Sequence, residues 1–434
     1  MACDNFAGFC TTECWDCPYN INSRNENGTG CGENVCLFEQ IVNENEQFYE
    51  ENMPKLNVLS LFDGISCGRV ALERAKIPVG RYYASEIDRY AIQVTQDNYP
   101  DTIQLGDVTK WREWDIDWSS IDLLIGGSPC QGFSSAGKGL NFDDPRSALF
   151  FVFVDVLNHI RNLNPNVKFL LENVKMKKEW TNIISEYLQV EPVQINSALV
   201  SAQNRQRLYW TNIAKIPQPE DKHICLKDIL LNCTDNSYMH SIERLAKISE
   251  SNFAQERGLI QNADGKCSCL LARDYKDPKC VFEKIEPLEV CDYAKGKIDE
   301  FYNKNGYIPK FFNAYNCSEI KDKSPTQTAY CGSQTSSATC LVLESIDLSV
   351  EQKTGKNVFE AKDKKVVIYD KEYQIDLEDG FWCFRKLTPI ECERLQTLPD
   401  NYTAGISNSQ RYKALGNGWT VDVIAHIFNS LKGE

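Results

Sequence analysis

The 434-residue chain carries 61 acidic and 47 basic side chains, a net charge of −14, and is 42% hydrophobic. That length and apolar content support two or three domains with a real core. No apolar stretch approaches the ~20 residues of a membrane span, and no basic start followed by an apolar core is visible, so neither a membrane span nor a secretory signal is expected.

Residues 1–55 stand apart. They hold six of the 19 cysteines: Cys3, Cys10, Cys14, Cys17, Cys31 and Cys36. Two residues separate Cys14 from Cys17, four separate Cys31 from Cys36, and 13 separate the pairs, with a polar turn at 25–30 between them. This approximates a four-thiolate zinc site with Cys14, Cys17, Cys31 and Cys36 as ligands. The second pair is looser than the usual spacing, Cys3 and Cys10 offer alternative ligands, and unligated thiols are the other reading. Residues 39–53 then read as an acidic linker or exposed helix. Residues 1–57 carry ten acidic and two basic side chains, more than half of the chain's negative excess.

From Leu56 the pattern becomes regular. Strands are expected near 56–62, 81–87, 103–106, 121–126, 167–172, 192–197 and 207–211, with helices near 67–75, 88–98, 146–163 and 178–189. Alternation of this kind predicts a doubly wound, mostly parallel α/β sheet. Its first strand runs into a turn with two glycines and then a helix, the usual opening of a nucleotide-binding sheet. The turn is neither G-x-G-x-x-G nor a P-loop, because no Gly-Lys-Ser/Thr follows. Glu86 ends the second strand, where a carboxylate suits the two hydroxyls of a ribose. Asp107 ends the third and suits an adenine amino group. One such carboxylate in a loop would be ordinary. Three in succession, with Asp63, favour an adenosine-type cofactor.

The run Ile121–Ile125 leads into Gly126-Gly127-Ser128-Pro129-Cys130-Gln131. A cysteine at the carboxyl end of such a strand lies where open α/β sheets bind ligands. The glycines admit a substrate to the backbone and Pro129 fixes the turn. The following segment, Gly132 to Gly139, is rich in Gly, Ser and Lys and includes Ser134 and Ser135, a composition that suits a moving loop. Phe169–Val174 closes an apolar run with Glu172. Arg205 and Arg207 are two apart, so an extended segment projects both from one face. Singly, each signal is weak: a Pro-Cys pair is usually structural and Arg-x-Arg is usually a surface pair.

Taken in order, these segments resemble the C5-cytosine DNA methyltransferase family over residues 56–213 and 384–431. Leu59–Ile65, Ala84-Ser85-Glu86, Ile125–Cys130 and Trp419-Thr420-Val421 look like the branch containing the eukaryotic de novo enzymes and many phage and bacterial relatives. The resemblance implies a methyltransferase using S-adenosyl-L-methionine on double-stranded DNA, in the cytoplasm of a phage-infected or bacterial cell, or in a nucleus if the source is eukaryotic. Membrane association is not expected. It assigns Cys130 as nucleophile, Glu172 to the N3 edge of cytosine, Arg207 to its carbonyl oxygen and Arg205 to the Cys130 loop. It places Phe62, Asp63, Gly64, Ile65, Gly68, Glu86, Ile87, Asp107, Val108, Pro129, Leu149, Asn417 and Trp419 around the cofactor. In one departure, Leu149-Phe150-Phe151 is followed by Val152 where the family usually has an acidic residue. RNA cytosine methylation and an inactive DNA-binding homologue are the alternatives. The large insert favours duplex DNA, and the intact Cys130, Glu172, Arg205 and Arg207 argue against inactivity.

Residues 214–383 lose the regular alternation and correspond to the family's target-recognition region, expected to be small, irregular and β-rich. A weak repeat aligns Lys266–Tyr275 with Lys323–Gly332, each running on to a short apolar strand at 280–283 and 340–344. Either two paired loops present side chains to a major groove, or short strands coincide by chance. Cys267, Cys269, Cys280 and Cys331 match no zinc spacing. Lys138, Arg205, Arg207, Arg273, Lys276 and Lys279 are the candidate basic face, and the overall charge implies modest, salt-sensitive DNA affinity. Order returns at Arg385, with Thr388 as N-cap and Pro389 at the first helical position. A last helix, near 420–431, carries an apolar stripe. The expected domains are 1–55, 56–213, 214–383 and 384–434.

Overall fold

In the computed structural model, the described residues are 54–128, 148–231, 237–250, 258–284, 292–307, 309, 311–319, 341–342, 358–368 and 371–433. The candidate zinc ligands Cys14, Cys17, Cys31 and Cys36, together with Pro129, Cys130, Ser134, Ser135, Lys138 and Cys331, lie outside them.

The main sheet is built from β1 (Leu56–Leu61), β2 (Val79–Ser85), β3 (Ile103–Gln104), β4 (Leu123–Gly126), β5 (Lys168–Val174), β6 (Val193–Asn196) and β8 (Gln206–Thr211), in the order β3-β2-β1-β4-β5-β8-β6. All neighbours from β3 to β5 run parallel, while β8 runs antiparallel to both β5 and β6. The strands fall where the alternation puts them because they are apolar on both sides. Val58, Leu123, Ile125 and Leu170 face one apolar layer, while Leu59, Leu61, Leu124, Phe169 and Leu171 face the other.

The helices α1 (Cys67–Arg74) and α2 (Arg89–Asn98) cover the first face, and α3 (Ala148–Leu163) and α4 (Lys178–Leu188) cover the second. Helix α3 owes its place to Phe153, Val156, Leu157 and Ile160, all fully buried. Burial of each such side chain contributes about 1.5–3 kcal/mol. Strand order turns back between β1 and β4, since β2 and β3 extend to one side and β5 to the other. A crevice forms at the carboxyl ends of strands at such a point.

The insert holds more regular structure than its sequence announces. Strand β7 (Gln203–Asn204) pairs in parallel with β9 (Cys267–Ser268), a separate two-stranded sheet that joins the insert to the segment before β8. Strands β10 (Cys280–Lys284), β14 (Val358–Ala361) and β17 (Gly380–Lys386) form one small sheet, and β11 (Phe311–Asn313), β12 (Ser318–Glu319) and β13 (Leu341–Val342) another. A hairpin joins β15 (Lys365–Ile368) to β16 (Lys371–Gln374). Two helices, α5 (Ile242–Ser249) and α6 (Asp292–Asn305), were not expected. Helix α6 is signalled only by Ala294, Ile298 and Phe301, a narrow buried stripe in a strongly charged run. The repeat does not form one paired unit: its two apolar strands, β10 and β13, belong to different sheets. Among the described residues no helix is long and apolar enough to cross a membrane.

The tail returns to the sheet. Helix α7 (Pro389–Leu395) is capped reciprocally, the Thr388 hydroxyl accepting from Glu391 N–H at 3.2 Å and the Glu391 carboxylate accepting from Thr388 N–H at 2.6 Å. Glu391 also grips the fully buried Arg385 through two hydrogen bonds of 2.8 and 2.9 Å. Helix α8 (Asn408–Asn417) leads into α9 (Val421–Asn429), whose Val421, Val423, Ile424, Ile427 and Phe428 complete the first apolar layer.

Candidate active site

A cavity of about 820 Å³ opens at the carboxyl ends of β1, β2, β4 and β5, and Gly416 to Trp419 close one side of it. The β1 turn is tight. Phe62 sits in left-handed backbone at φ 58°, which is strained for an aromatic residue, and Gly64 follows at φ 60°. Asp63 is thereby turned inward, where its carboxylate accepts hydrogen bonds from Ser66 Oγ and from Tyr82 OH at 2.9 Å. Burial raises its pKa to about 6, against the hydrogen bonds from Ser60, Ser66 and Tyr82, with Glu86 adding to the rise.

Glu86, at the end of β2, accepts the N–H groups of Gly64, Ile87 and Asp88, each at 2.8 Å. It thus holds the β1 and β2 turns to one another. Ile87 is 75% exposed beside it, an apolar side chain spread at the cavity mouth. Asp107 caps the turn after β3, accepting from Thr109 N–H and Oγ1 at 2.9 Å. Those hydrogen bonds hold its carboxyl below the usual value.

Gly127 and Ser128 follow β4. A side chain at Gly127 would lie 3.0 Å from the Trp419 ring nitrogen and 3.2 Å from Glu172 Oε2. A side chain there would require the indole or the carboxylate to give way by a few tenths of an ångström. Asn173 donates to both the carbonyl and the hydroxyl of Ser128, at 3.4 and 3.3 Å, and so ties the start of the Pro129–Cys130 segment to β5.

The buried carboxylate of Glu172 meets Arg207 Nε at 2.8 Å. Register explains this pair. In the antiparallel β5–β8 ladder Glu172 lies opposite Tyr209 and Val174 opposite Arg207, so Glu172 and Arg207 are diagonal neighbours on one face. Arg205 is 4% exposed. Its guanidinium donates to Leu270 O at 3.1 Å, Cys269 Sγ at 3.2 Å and Gly418 O at 2.9 Å.

The cavity therefore brings together Phe62, Asp63, Gly64, Ile65, Glu86, Ile87, Asp107, Val108, Leu149, Glu172, Arg205, Arg207, Asn417 and Trp419. Gly68 does not line it. That residue lies under the site in α1, where a Cβ would stand 2.3 Å from Ile125 Cδ1, so its smallness serves helix-to-sheet packing. Arg273 stands on the exposed face of the short turn Ala272–Tyr275, while Leu271 and Ala272 of the same segment reach the cavity wall.

Sequence reasoning missed Leu270 to Ala272, which arrive from the insert, and the pair of Lys413 with Asp88 at 2.7 Å on the wall. Neither has a local signal, because Asp88 and Lys413 lie 325 residues apart. Cys267 and Cys280 are buried thiols, each pushed by burial up to about 12. Among the described residues no three His, Cys, Asp or Glu side chains converge as metal ligands.

The geometry suits an adenosine-bearing cofactor: strand-end carboxylates, an indole, an exposed isoleucine and a buried Glu–Arg pair share one cavity. A family profile described as C-5 cytosine-specific DNA methylase matches residues 56–433. The chain belongs to that family. Its members are DNA cytosine-C5 methyltransferases that use S-adenosylmethionine. The chain is 29% identical to the orphan methyltransferase M.SPRI of Bacillus phage SPR, over 87% of this chain and 98% of that protein. It is 26% identical to the type II methyltransferase M1.ScrFI of Lactococcus lactis subsp. cremoris, over 93% of this chain and 85% of that protein. Among solved structures, the Entamoeba histolytica methyltransferase EhMeth shares the fold at a TM-score of 0.52 and 16% identity, covering 87% of this chain and 99% of that one.

Proposed function

We propose that this cavity methylates carbon 5 of a cytosine flipped out of duplex DNA, with Cys130 as nucleophile. The observation that carries the reading is the buried Glu172–Arg207 pair, 2.8 Å apart, in the same cavity as the strand-end carboxylates. A cytosine within a duplex hides carbon 6, so the base must leave the stack at a cost of a few kcal/mol.

Carbon 5 is a poor nucleophile until a thiolate adds at carbon 6. Cys130 forms that carbon–sulfur bond, and the ring electrons move to carbon 5 as an enamine. Glu172 holds N3 and the exocyclic amine and shares a proton as charge builds on the ring. Arg207 holds the oxygen at position 2, and Arg205 steadies the Cys130 segment. S-adenosylmethionine, when bound, would supply an electrophilic methyl to carbon 5, its sulfur leaving as the neutral thioether. Loss of the proton from carbon 5 to a water, with departure of the Cys130 thiolate from carbon 6, then restores the aromatic ring. Asp63 would face the methionine end of the cofactor, Glu86 its ribose and Asp107 its adenine.

In this reading residues 56–213 and 384–434 do the chemistry and 214–383 choose the DNA sequence. A duplex with 5-fluorocytosine at the target blocks proton loss, so it is expected to trap an adduct that survives denaturation, and Cys130→Ser is expected to abolish it. An adduct that persists in Cys130→Ser overturns the assignment. Labelled-methyl transfer to separate DNA and RNA pools tests the substrate, with label expected in DNA.

A further inference from the structure

Cys269 takes no part in the steps above, yet it stands where the insert meets the two arginines. Strands β7 and β9 pair in parallel with Gln203 beside Cys267 and Asn204 beside Ser268. One residue beyond each strand come Arg205 and Cys269. The Cys269 sulfur accepts a hydrogen bond from Arg205 Nη1 at 3.2 Å and a longer one from Arg207 Nη2 at 3.7 Å. Arg207 reaches Glu172 through its Nε. Arg205, Cys269, Arg207 and Glu172 thus form one continuous chain of polar contacts.

The strand that presents the sulfur is held from several directions. The Lys266 ammonium donates to three carbonyls, those of Ala198 at 2.6 Å, Ser201 at 3.1 Å and Ile224 at 2.7 Å. Cys267 N–H reaches Ala202 O at 2.7 Å, and Leu270 N–H reaches the side-chain oxygen of the fully buried Gln203 at 2.9 Å. Two guanidiniums side by side repel, and an acceptor between them offsets that repulsion. The groups facing the thiol are Arg205 and Arg207, with Glu172 behind Arg207 and Cys267 on its own strand. Burial raises its pKa, and the two arginines more than compensate, leaving it below the ordinary thiol value.

We propose that Cys269 is a positioning residue that spaces Arg205 and Arg207, so that the insert itself sets the arginines used in methyl transfer. The proposal rests on the reading of the site given above. In full-length enzyme, Cys269→Ala is expected to lower kcat at least tenfold while dissociation constants for DNA and cofactor stay within threefold. Cys269→Ser, whose hydroxyl accepts from the same donors, is expected to return kcat to within threefold of wild type. A Cys269→Ala enzyme within twofold of wild type, or a Ser variant no better than Ala, overturns the proposal.

A second measurement needs no turnover. The pH midpoint for alkylation of Cys269 by iodoacetamide, resolved by peptide mass spectrometry, is expected to rise in Arg207→Gln, because a cationic neighbour favours the thiolate. An unchanged midpoint overturns the arrangement. Wild-type enzyme that puts no methyl on DNA cytosine would instead defeat the functional reading, and the alkylation result would still judge Cys269.

Discussion

Asp63 lines the cavity with a carboxyl whose pKa burial shifts upward. Burial lifts its carboxyl from 3.8 to about 6, so the folded protein favours the protonated form. Its contribution to stability is therefore full below about pH 4 and is lost as pH rises through about 6. A cationic methionine end of the cofactor favours the ionised form. Cofactor affinity is then expected to fall as pH drops below 6, and binding at pH 5 to release a proton. Calorimetry at pH 5 and pH 8, in buffers of different ionisation heat, checks this, and Asp63→Asn should flatten the dependence. Glu86 is a different case, since its carboxylate already accepts three backbone N–H groups. Glu86→Ala is expected to weaken cofactor binding at least tenfold and leave DNA binding nearly unchanged. Equal cofactor affinity by calorimetry would place the ribose elsewhere.

Among the elements, the joint between α8 and the turn Ala272–Tyr275 shapes the cavity wall. A Cβ at Gly416 would lie 2.2 Å from the Leu271 carbonyl carbon and 2.3 Å from Ala272 N, and backbone cannot yield as a flexible side chain can. Gly416→Ala is expected to cost roughly 1–3 kcal/mol, the usual range for overpacking. Gly265→Ala is the control, because its nearest neighbour would be Asn262 O at 3.7 Å, an ordinary contact, and a change within about 0.5 kcal/mol is expected. Urea midpoints of the two variants separate these outcomes. The buried Arg385–Glu391 pair ties the insert to α7 by the same logic of fixed position. Arg385 also donates to Leu231 O at 3.1 Å, while Glu391 accepts Leu231 N–H at 2.8 Å.

At the scale of the whole molecule, a chain of net charge −14 has to meet a polyanion. Of the candidate basic side chains, Arg205 and Lys279 are buried, at 4% and 2% exposure, while Arg273 and Lys276 are exposed. DNA affinity is accordingly expected to fall about tenfold or more between 50 and 200 mM salt, as counterion release requires. Arg273, on an exposed turn beside the cavity, is the proposed base reader. Arg273→Ala is expected to relax the methylated sequence at one position, since a bidentate contact to guanine gives about 1–3 kcal/mol of discrimination. Methylation mapped by bisulfite sequencing checks this. An unchanged motif with uniformly weaker binding would assign Arg273 to phosphate instead.

The sheet was legible because its strands are buried on both faces and its helices carry broad stripes. Val58 to Leu61, Leu123 to Ile125 and the α3 run declare themselves without reference to any partner. The strand-end carboxylates were legible for the same reason, since a carboxylate that closes an apolar run has one place to go in an open α/β sheet. The insert was not, because α6 and the small sheets bury narrow stripes whose partners lie far along the chain. Only the tertiary structure decided that Glu172 meets Arg207 across an antiparallel register, that Gly68 packs beneath the site, and that Cys269 lies between two arginines more than 60 residues earlier. Local patterns fix what each segment buries; long-range pairing fixes what each polar side chain meets.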